Sequence, residues 1–156
     1  RQMARSLGFL LAQKGHELIY GGTPCGLMGD VALSAAQQGG AITGIIPENW
    51  RESQWVNPCN TQNIFVKNLA ERKQLMSQMA DVFVVLPGGI GTLDEAFSLM
   101  AMHQIGETTK KVYFINTNGF FAGIKEQLNH CLQENCMTMN SVSAYEFVDD
   151  IKQLPL

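Results

Sequence analysis

The sequence predicts a doubly wound α/β fold, in which a parallel sheet is flanked by helices, formed as a single domain over residues 1–156. Apolar runs of strand length alternate with helical patterns along the chain, and each strand is almost wholly apolar, as in a parallel sheet covered on both faces. Two strands also run into glycines that are followed by a helix. Ligands bind such sheets beyond the carboxyl ends of the strands, where both glycine turns are expected to lie.

The first half of the chain predicts three strands and three helices. It opens inside an amphipathic helix, at residues 1–12, with no starting methionine or cap, so we expect a strand of the sheet to precede this helix outside the sequence. An irregular loop is predicted at 47–60. The other elements are predicted in this order: strand 17–20, helix 27–38, strand 41–46, strand 62–66 and helix 69–79.

The second half continues the alternation and then becomes helical. A strand is predicted at 80–86, a helix at 92–105 and a strand at 111–115. Two helices, at 121–134 and 144–153, are predicted to complete the chain.

Composition excludes several classes of partner. The net charge is −3 and no lysine or arginine run is present, so nucleic acid and anionic membranes are not expected as partners. No apolar stretch approaches the roughly 18 residues of a membrane span. The four cysteines form no C-x-x-C pair and the three histidines are scattered, so we expect reduced thiols, a cytoplasmic location and no metal site.

The glycine turn before the predicted helix 92–105 is the strongest functional signal. Gly88, Gly89 and Gly91 follow an apolar strand, and glycines allow a ligand to approach the backbone where unpaired helix N–H groups attract an anion. We therefore predict that these glycines and Thr92 bind phosphate. An alternative for Thr92 and Glu95 is a capping box, which would leave the glycines unexplained. The pattern is neither the dinucleotide motif nor a Walker loop.

A second glycine turn, Gly21–Gly22 followed by Gly26, lies after the predicted strand 17–20. It would either line a ribose or base pocket or form only a tight connection between strand and helix.

Two charged residues outside the glycine turns are catalytic candidates. Arg72 and its neighbour Lys73 are in the first turn of a predicted helix, where a positive charge interacts unfavourably with the helix dipole unless an anion compensates it. The alternative for Arg72 is a place on the solvated surface. Glu71 is assigned to capping. Glu95 is predicted in the first turn of the helix after the phosphate loop, where a carboxylate could stabilise an oxocarbenium ion, bind ribose hydroxyls or activate water. Asp94 is assigned to a cap or the surface.

Together these motifs resemble the Lonely Guy (LOG) family of cytokinin riboside 5′-monophosphate phosphoribohydrolases, long labelled "possible lysine decarboxylase". The resemblance extends over essentially the whole chain and rests on separated motifs. These are Gly21-Gly22, Gly26-Leu27-Met28-Gly29, Glu71-Arg72-Lys73, Ala80-Asp81 and Pro87-Gly88-Gly89-Ile90-Gly91-Thr92-x-x-Glu95.

The resemblance implies hydrolysis of the N-glycosidic bond of adenosine-type 5′-monophosphates to free base and ribose 5-phosphate, without a metal or redox cofactor. It also implies a homodimer, with Gln104-Ile105-Gly106 near the subunit interface. The residue roles that it implies are as follows: Arg72 and Glu95 are catalytic, Gly88, Gly89, Gly91 and Thr92 bind the phosphate, and Gly22, Gly26, Met28 and Lys73 contribute to the nucleotide pocket.

Two departures from the family pattern bear on the pocket. Thr23 stands where family members often have a third glycine, so Thr23 and Pro24 could narrow the pocket. The family's first strand and its Gly/Ser-rich loop lie outside the sequence.

Three other functions are weighed against the hydrolase. The main rival is a non-catalytic carrier of a phosphorylated ligand such as molybdenum cofactor, which would need the anion loop but not Glu95 and Arg72. A DNA-handling protein fits the acidic balance poorly. Lysine decarboxylation is rejected, because no lysine is singled out for a Schiff base with pyridoxal phosphate.

Overall fold

The computed structural model describes all of residues 1–156, which form two compact units. The first unit comprises residues 1–80 together with Leu156, and the second comprises 81–155. Each unit contains one three-stranded parallel sheet with helices. The α/β class and the all-parallel pairing are therefore confirmed, with the strands divided between two sheets; the single-domain organisation stays a prediction.

The first unit is built from alternating helices and strands, in a sheet of order β1-β2-β3. The central strand β2 is buried along its whole length, as expected for a strand with neighbours on both sides. The elements are α1 (Gln2–Gln13), β1 (Leu18–Tyr20), α2 (Gly26–Gln37), β2 (Ile42–Pro47), β3 (Gln62–Val66) and α3 (Leu69–Met79).

The connection from β2 to β3 carries no α-helix. Residues 48–61 contain only a 3₁₀ turn at Glu48–Trp50, which agrees with the predicted irregular loop except that Pro47 belongs to β2. The register places Tyr20 opposite Gly44 and Gly44 opposite Asn63, so these three residues form one row across the sheet. The missing side chain of Gly44 leaves room on the sheet for a residue of this connection.

The second unit repeats the alternation in a sheet of order β4-β5-β6. Its core contains the ring of Phe114, which packs against Phe121 at a centroid distance of 5.2 Å and against Phe147 at 5.0 Å. The elements are β4 (Phe83–Val85), α4 (Ile90–Gln104), β5 (Val112–Ile115), α5 (Ala122–Gln133) and β6 (Tyr145–Val148).

The helix predicted at 144–153 is wrong. Tyr145–Val148 form β6, which pairs in parallel with β5, and only a 3₁₀ turn at Ile151–Gln153 follows. Side chains with high β-propensity favour this strand, and pairing with β5 outweighs the helical spacing of the apolar residues. None of the helices in the chain is both long and apolar enough to cross a membrane.

Candidate functional site

The glycine turn of the second unit opens directly into α4. Gly89 is the N-cap of this helix and provides no side chain to satisfy the first N–H groups. A Cβ built on Gly89 or Gly91 would meet no atom within 4 Å, so both backbone positions face open space. By contrast, a Cβ on Gly88 would lie 2.2 Å from Oγ1 of Thr92, so Gly88 must be glycine for the threonine to fold back over the turn. Gly89 and Gly91 are also exposed, so the backbone at the start of α4 is accessible to a ligand.

The start of α4 differs from its prediction by two residues. The helix begins at Ile90, so Thr92 is the third helical residue and cannot be the N-cap that a capping box requires. Glu95 consequently lies in the second turn rather than the first, where it is half-buried, whereas Asp94 is exposed. The helix can start earlier because Gly89 occupies the N-cap position, where glycine is accepted although it has no side chain.

Arg72 is buried against the glycine turn of the first unit. Only 9% of the residue is exposed, so the alternative of a solvated surface position is wrong. A Cβ on Gly21 would lie 1.9 Å from Nη2 of Arg72 and 3.1 Å from its Cζ, which shows that the guanidinium rests directly on the Gly21 backbone. Gly21 follows the last residue of β1, so the structure places this cation at the carboxyl end of the strand.

The start of α3 is closed by its own residues, and the predicted capping role of Glu71 is confirmed. Asn68 accepts a hydrogen bond from the Glu71 N–H at 2.9 Å, and the Glu71 carboxylate accepts one from the Lys67 N–H at 2.7 Å. These two bonds satisfy N–H groups at the start of α3 with the helix's own capping residues. Lys73, next to Arg72 on this helix, is half-buried.

The Gly21–Gly22 turn is filled by neighbouring atoms. Gly22 has a φ of 75°, and a Cβ there would lie 2.4 Å from Cγ1 of Ile46 and 3.2 Å from Cα of Gly44. Both the backbone conformation and the packing therefore require glycine. Of the two interpretations of this turn, the tight connection between strand and helix explains the glycine at position 22. The glycine at position 21 leaves room for the guanidinium of Arg72.

The predicted pocket residues after this turn are mostly accessible. Gly26 begins α2 with a φ of 61° and meets nothing within 4 Å, and Met28 is exposed. Thr23 is buried and its hydroxyl donates to Sδ of Met28 at 3.1 Å; that Thr23 and Pro24 narrow the pocket stays a prediction. The carbonyl oxygen of Pro24 lies where a Cβ of Gly29 would be, which explains the glycine in α2.

Two asparagines that no sequence motif singled out hold the Gly22 carbonyl. The Asn57 N–H donates to it at 2.8 Å and Nδ2 of Asn60 donates at 3.2 Å. The Tyr20 hydroxyl donates in turn to Oδ1 of Asn60 at 2.6 Å. Burial raises the pKa of Tyr20 well above its ordinary value, against a smaller lowering by the Asn57 side chain, so this hydroxyl remains a donor. The only sequence signal for this cluster is Gly44, a glycine inside a buried strand.

An open groove lies beside the β2–β3 connection, at the carboxyl ends of these strands. Exposed Glu48 forms an ion pair with Arg51 there, and the hydrogen bond from Arg51 lowers the pKa of the Glu48 carboxyl. The guanidinium of Arg51 also lies 3.7 Å from the centroid of the Phe65 ring. The groove is lined by Pro47, Glu48, Asn49, Trp50, Lys67, Asn68 and Leu69.

The predicted site residues fall into two sets, one in each unit. The first unit brings the guanidinium of Arg72 onto the turn that contains Gly22, and the second brings Thr92 onto Gly88 at the start of the helix that carries Glu95. No group of three or more His, Cys, Asp or Glu side chains is arranged to hold a metal ion. All four cysteines are free thiols.

A family model described as "Possible lysine decarboxylase" matches residues 28–155. Among curated relatives, a "Cytokinin riboside 5'-monophosphate phosphoribohydrolase" of Rhodococcoides fascians is 30% identical over 97% of this chain and 77% of its own. A protein of the same name from Mycobacterium tuberculosis is 31% identical over 97% of this chain and 81% of its own. The probable member LOGL9 of Oryza sativa is 36% identical over 78% of this chain, which is 53% of that protein.

Solved structures share the fold at lower identity. The molybdenum cofactor carrier protein of Chlamydomonas reinhardtii matches with a TM-score of 0.69 at 20% identity, over 97% of this chain and 81% of that one. The molybdenum cofactor binding protein of Rippkaea orientalis gives a TM-score of 0.66 at 20% identity, over 96% and 79% of the two chains. These likenesses establish the α/β fold alone. The family model over residues 28–155 and the relatives at 30% and 31% identity show that the chain belongs to the Lonely Guy (LOG) family.

Proposed function

We propose that this protein is a hydrolase that cleaves the N-glycosidic bond of nucleoside 5′-monophosphates and releases free base and ribose 5-phosphate. The observation that carries the proposal is the start of α4, where Gly89 and Gly91 leave the first turn of a 15-residue helix open to an anion. The printed names of the relatives, cytokinin riboside 5'-monophosphate phosphoribohydrolases, support the same substrate class.

The phosphate is assigned to the open turn of the second unit. Backbone N–H groups at Gly89 and Gly91 would bind its oxygens, Gly88 gives Thr92 the room to fold back, and the Thr92 hydroxyl would donate a further hydrogen bond. By the family resemblance, the nucleoside is assigned to the residues around the Gly21–Gly22 turn. In this proposal Gly22, Gly26, Met28 and Lys73 contribute to that pocket.

Arg72 and Glu95 are the catalytic residues of the proposal. In the reaction the bond between the ribose C1′ and the base nitrogen breaks, water adds to C1′, and the base leaves with a proton. The transition state resembles an oxocarbenium ion, which a carboxylate stabilises. Glu95 would supply that charge, bind the ribose hydroxyls or activate the water, and Arg72 would orient the ribose from its buried position on Gly21.

The test is chromatographic detection of free base after incubation with AMP and with isopentenyl-adenosine monophosphate. We expect the wild type to release base and Glu95→Gln to lose at least about 100-fold in rate, the range of a removed charged catalytic group. Asp94→Asn is the matched control, because it makes the same chemical change at the neighbouring exposed residue and should stay within a few-fold of the wild type.

Two outcomes would contradict the assignment. Full activity of Glu95→Gln would remove the carboxylate from its catalytic role. No release of base from either substrate by the wild type would overturn the hydrolase and favour a carrier of a phosphorylated ligand. Comparison of the two rates would rank AMP against the prenylated nucleotide.

Decarboxylation of lysine is not part of the proposal. A Schiff base to pyridoxal phosphate needs a lysine held in a cofactor pocket. No lysine of this sequence is singled out for that role by a motif. Incubation with lysine and pyridoxal phosphate should therefore release no CO₂, and its release would contradict this reading.

A homodimer in the cytoplasm is proposed as the working form. Helix α4 exposes Ile90 (83%) and Phe97 (39%), which are seven residues apart and so share a helix face, and Ile105 at its end is 70% exposed. Sedimentation equilibrium should give twice the mass of the chain. A monomer at micromolar concentration would contradict the dimer.

A further inference from the structure

We propose that Asn60 is a positioning residue for Arg72, which it serves by fixing the carbonyl of Gly22. The inference rests on the proposed function, in which Arg72 orients the ribose. It concerns the connection between β2 and β3, a segment to which neither the family motifs nor the relatives' names assign a role. The role proposed for Asn60 acts through Arg72 and not through a contact with the substrate.

The hydrogen bonds of Asn60 require an amide. Its Oδ1 accepts from the Tyr20 hydroxyl at 2.6 Å, while its Nδ2 donates to the Gly22 carbonyl at 3.2 Å and to Oδ1 of Asn63 at 2.7 Å. A carboxylate of the same size could accept from Tyr20 but could not donate to the other two. The side chain reaches this place because Gly44 has no Cβ, which would lie 2.5 Å from Nδ2.

The Gly22 carbonyl is held from two directions. The Asn57 N–H donates to it at 2.8 Å, so together with Asn60 both lone pairs of the oxygen are used. A carbonyl so held cannot rotate with its peptide plane. Gly22 is also held by Ile46 and the Gly44 backbone on its Cα side. Four contacts thus define the conformation of a residue that has no side chain of its own.

The hold on Gly22 passes to Arg72 through Gly21. The guanidinium rests on the Gly21 backbone so closely that a single added carbon would collide with Nη2. The held carbonyl belongs to the Gly22–Thr23 peptide, which joins the Gly21–Gly22 peptide at the Cα of Gly22, so a shift of the first peptide displaces the second and changes the surface on which the guanidinium lies. Misplacement of a catalytic group by about 1 Å can reduce the rate by up to 100-fold. Asn60 thereby affects the rate without contacting the substrate.

The test compares Asn60→Asp with Asn63→Asp. Both variants introduce a carboxylate, but only Asn60→Asp removes the donor to Gly22. Hydrolysis of AMP gives kcat and KM, thermal unfolding gives the melting temperature, and the ¹H–¹⁵N signal of Arg72 Nε, assigned with Arg72→Lys, reports the guanidinium directly. We expect Asn60→Asp to lower kcat about tenfold with KM within about twofold and to shift the Arg72 signal. Asn63→Asp should leave kcat, KM and the signal near the wild type.

Each other result overturns the proposal or its basis. An unchanged Arg72 signal in Asn60→Asp overturns it whether or not the protein hydrolyses AMP, and so does a lower melting temperature with unchanged kcat. No hydrolysis by the wild type overturns the proposed function alone, since the signal still decides the role of Asn60. If Asn60→Asp does not fold, Tyr20→Phe removes the anchor of Asn60 and should shift the Arg72 signal in the same direction by less; no shift there overturns the proposal.

Discussion

The two glycine turns look alike in the sequence and differ in the structure. Each follows an apolar strand and precedes a helix, and each contains adjacent glycines. Around Gly21 and Gly22 the space is occupied by Arg72 and Ile46, whereas Gly89 and Gly91 meet no atom within 4 Å. A side chain would thus meet neighbouring atoms at Gly21 and Gly22, whereas at Gly89 and Gly91 it would meet none.

The comparison distinguishes two reasons why a position can be occupied by glycine, and these two reasons look the same in a sequence motif. A glycine that packing demands carries no information about a ligand. A glycine with open space at a helix start leaves the backbone there accessible to a ligand, which is what the proposed phosphate site needs. The proposed phosphate site is therefore kept at the open turn, while the filled turn holds the guanidinium of Arg72.

The largest effect on stability is expected from adding a side chain at Gly22, in the filled turn. Gly22→Ala combines a left-handed conformation, φ 75°, with a Cβ that would lie 2.4 Å from Cγ1 of Ile46. We expect the free energy of unfolding in urea to fall by about 2–4 kcal/mol, the sum of conformational strain and overpacking.

Gly39→Ala is the control for that prediction. Gly39 has a φ of 71° in the same unit but meets nothing within 4 Å, so its substitution should cost only the strain, about 1 kcal/mol. Equal losses in the two variants would mean that packing does not distinguish Gly22, and the comparison of the turns would fail.

A second prediction concerns Gly21, where an added Cβ would collide with the end of the flexible Arg72 side chain. Because the guanidinium of Arg72 can move, Gly21→Ala should change the free energy of unfolding by less than about 1 kcal/mol. The displaced cation should lower kcat for AMP by about 100-fold. Steady-state kinetics beside urea unfolding measures both.

A double mutant isolates the contact. In an Arg72→Ala background, Gly21→Ala should have no further effect on stability, because the atom that it would meet is gone. A retained kcat in the single mutant would show that the position of Arg72 is not critical to the reaction.

The sequence predicts helices and strands well where the hydrophobic periodicity and the capping residues indicate the same bounds. The bounds of β3 and α3 are as predicted, and Asn68 and Glu71 provide a clear cap. The segment from Tyr145 fails because its apolar residues also fit helical spacing, and the deciding contact is pairing with the distant strand β5. Local patterns do not contain such pairings.

The candidate site divides in the same way. The glycines after each strand and the charge of Arg72 against the dipole of α3 are local signals, and they led to residues that the structure places at strand ends and helix starts. The burial of Arg72 on Gly21 and the hold of Asn60 on Gly22 join residues far apart in the chain. The sequence therefore identified candidates without the contacts that orient them.

A smaller effect is expected at alkaline pH from Tyr20, the residue before the filled turn. Burial raises its pKa in the folded state above the ordinary 10.0, so the folded protein retains a proton that the unfolded chain loses. This contribution is fully present below pH 10 and is lost as the pH rises above it, by about 1 kcal/mol between pH 10 and 11. Urea unfolding should show a shallower decline for Tyr20→Phe, and parallel curves would contradict the burial of the hydroxyl.

The smallest effect should come from the open turn, and it should have the opposite sign. Gly91 is the second residue of α4 and Gly123 the second residue of α5, and neither would meet an atom within 4 Å if it carried a Cβ. Alanine should therefore raise the free energy of unfolding by about 0.5 kcal/mol at both positions, through helix propensity alone. Only Gly91→Ala places a methyl group where the phosphate is proposed to bind, and it should weaken AMP binding about threefold by calorimetry. Equal AMP affinity in the two variants would leave the open space at Gly91 without a ligand, and the phosphate would have to be assigned elsewhere.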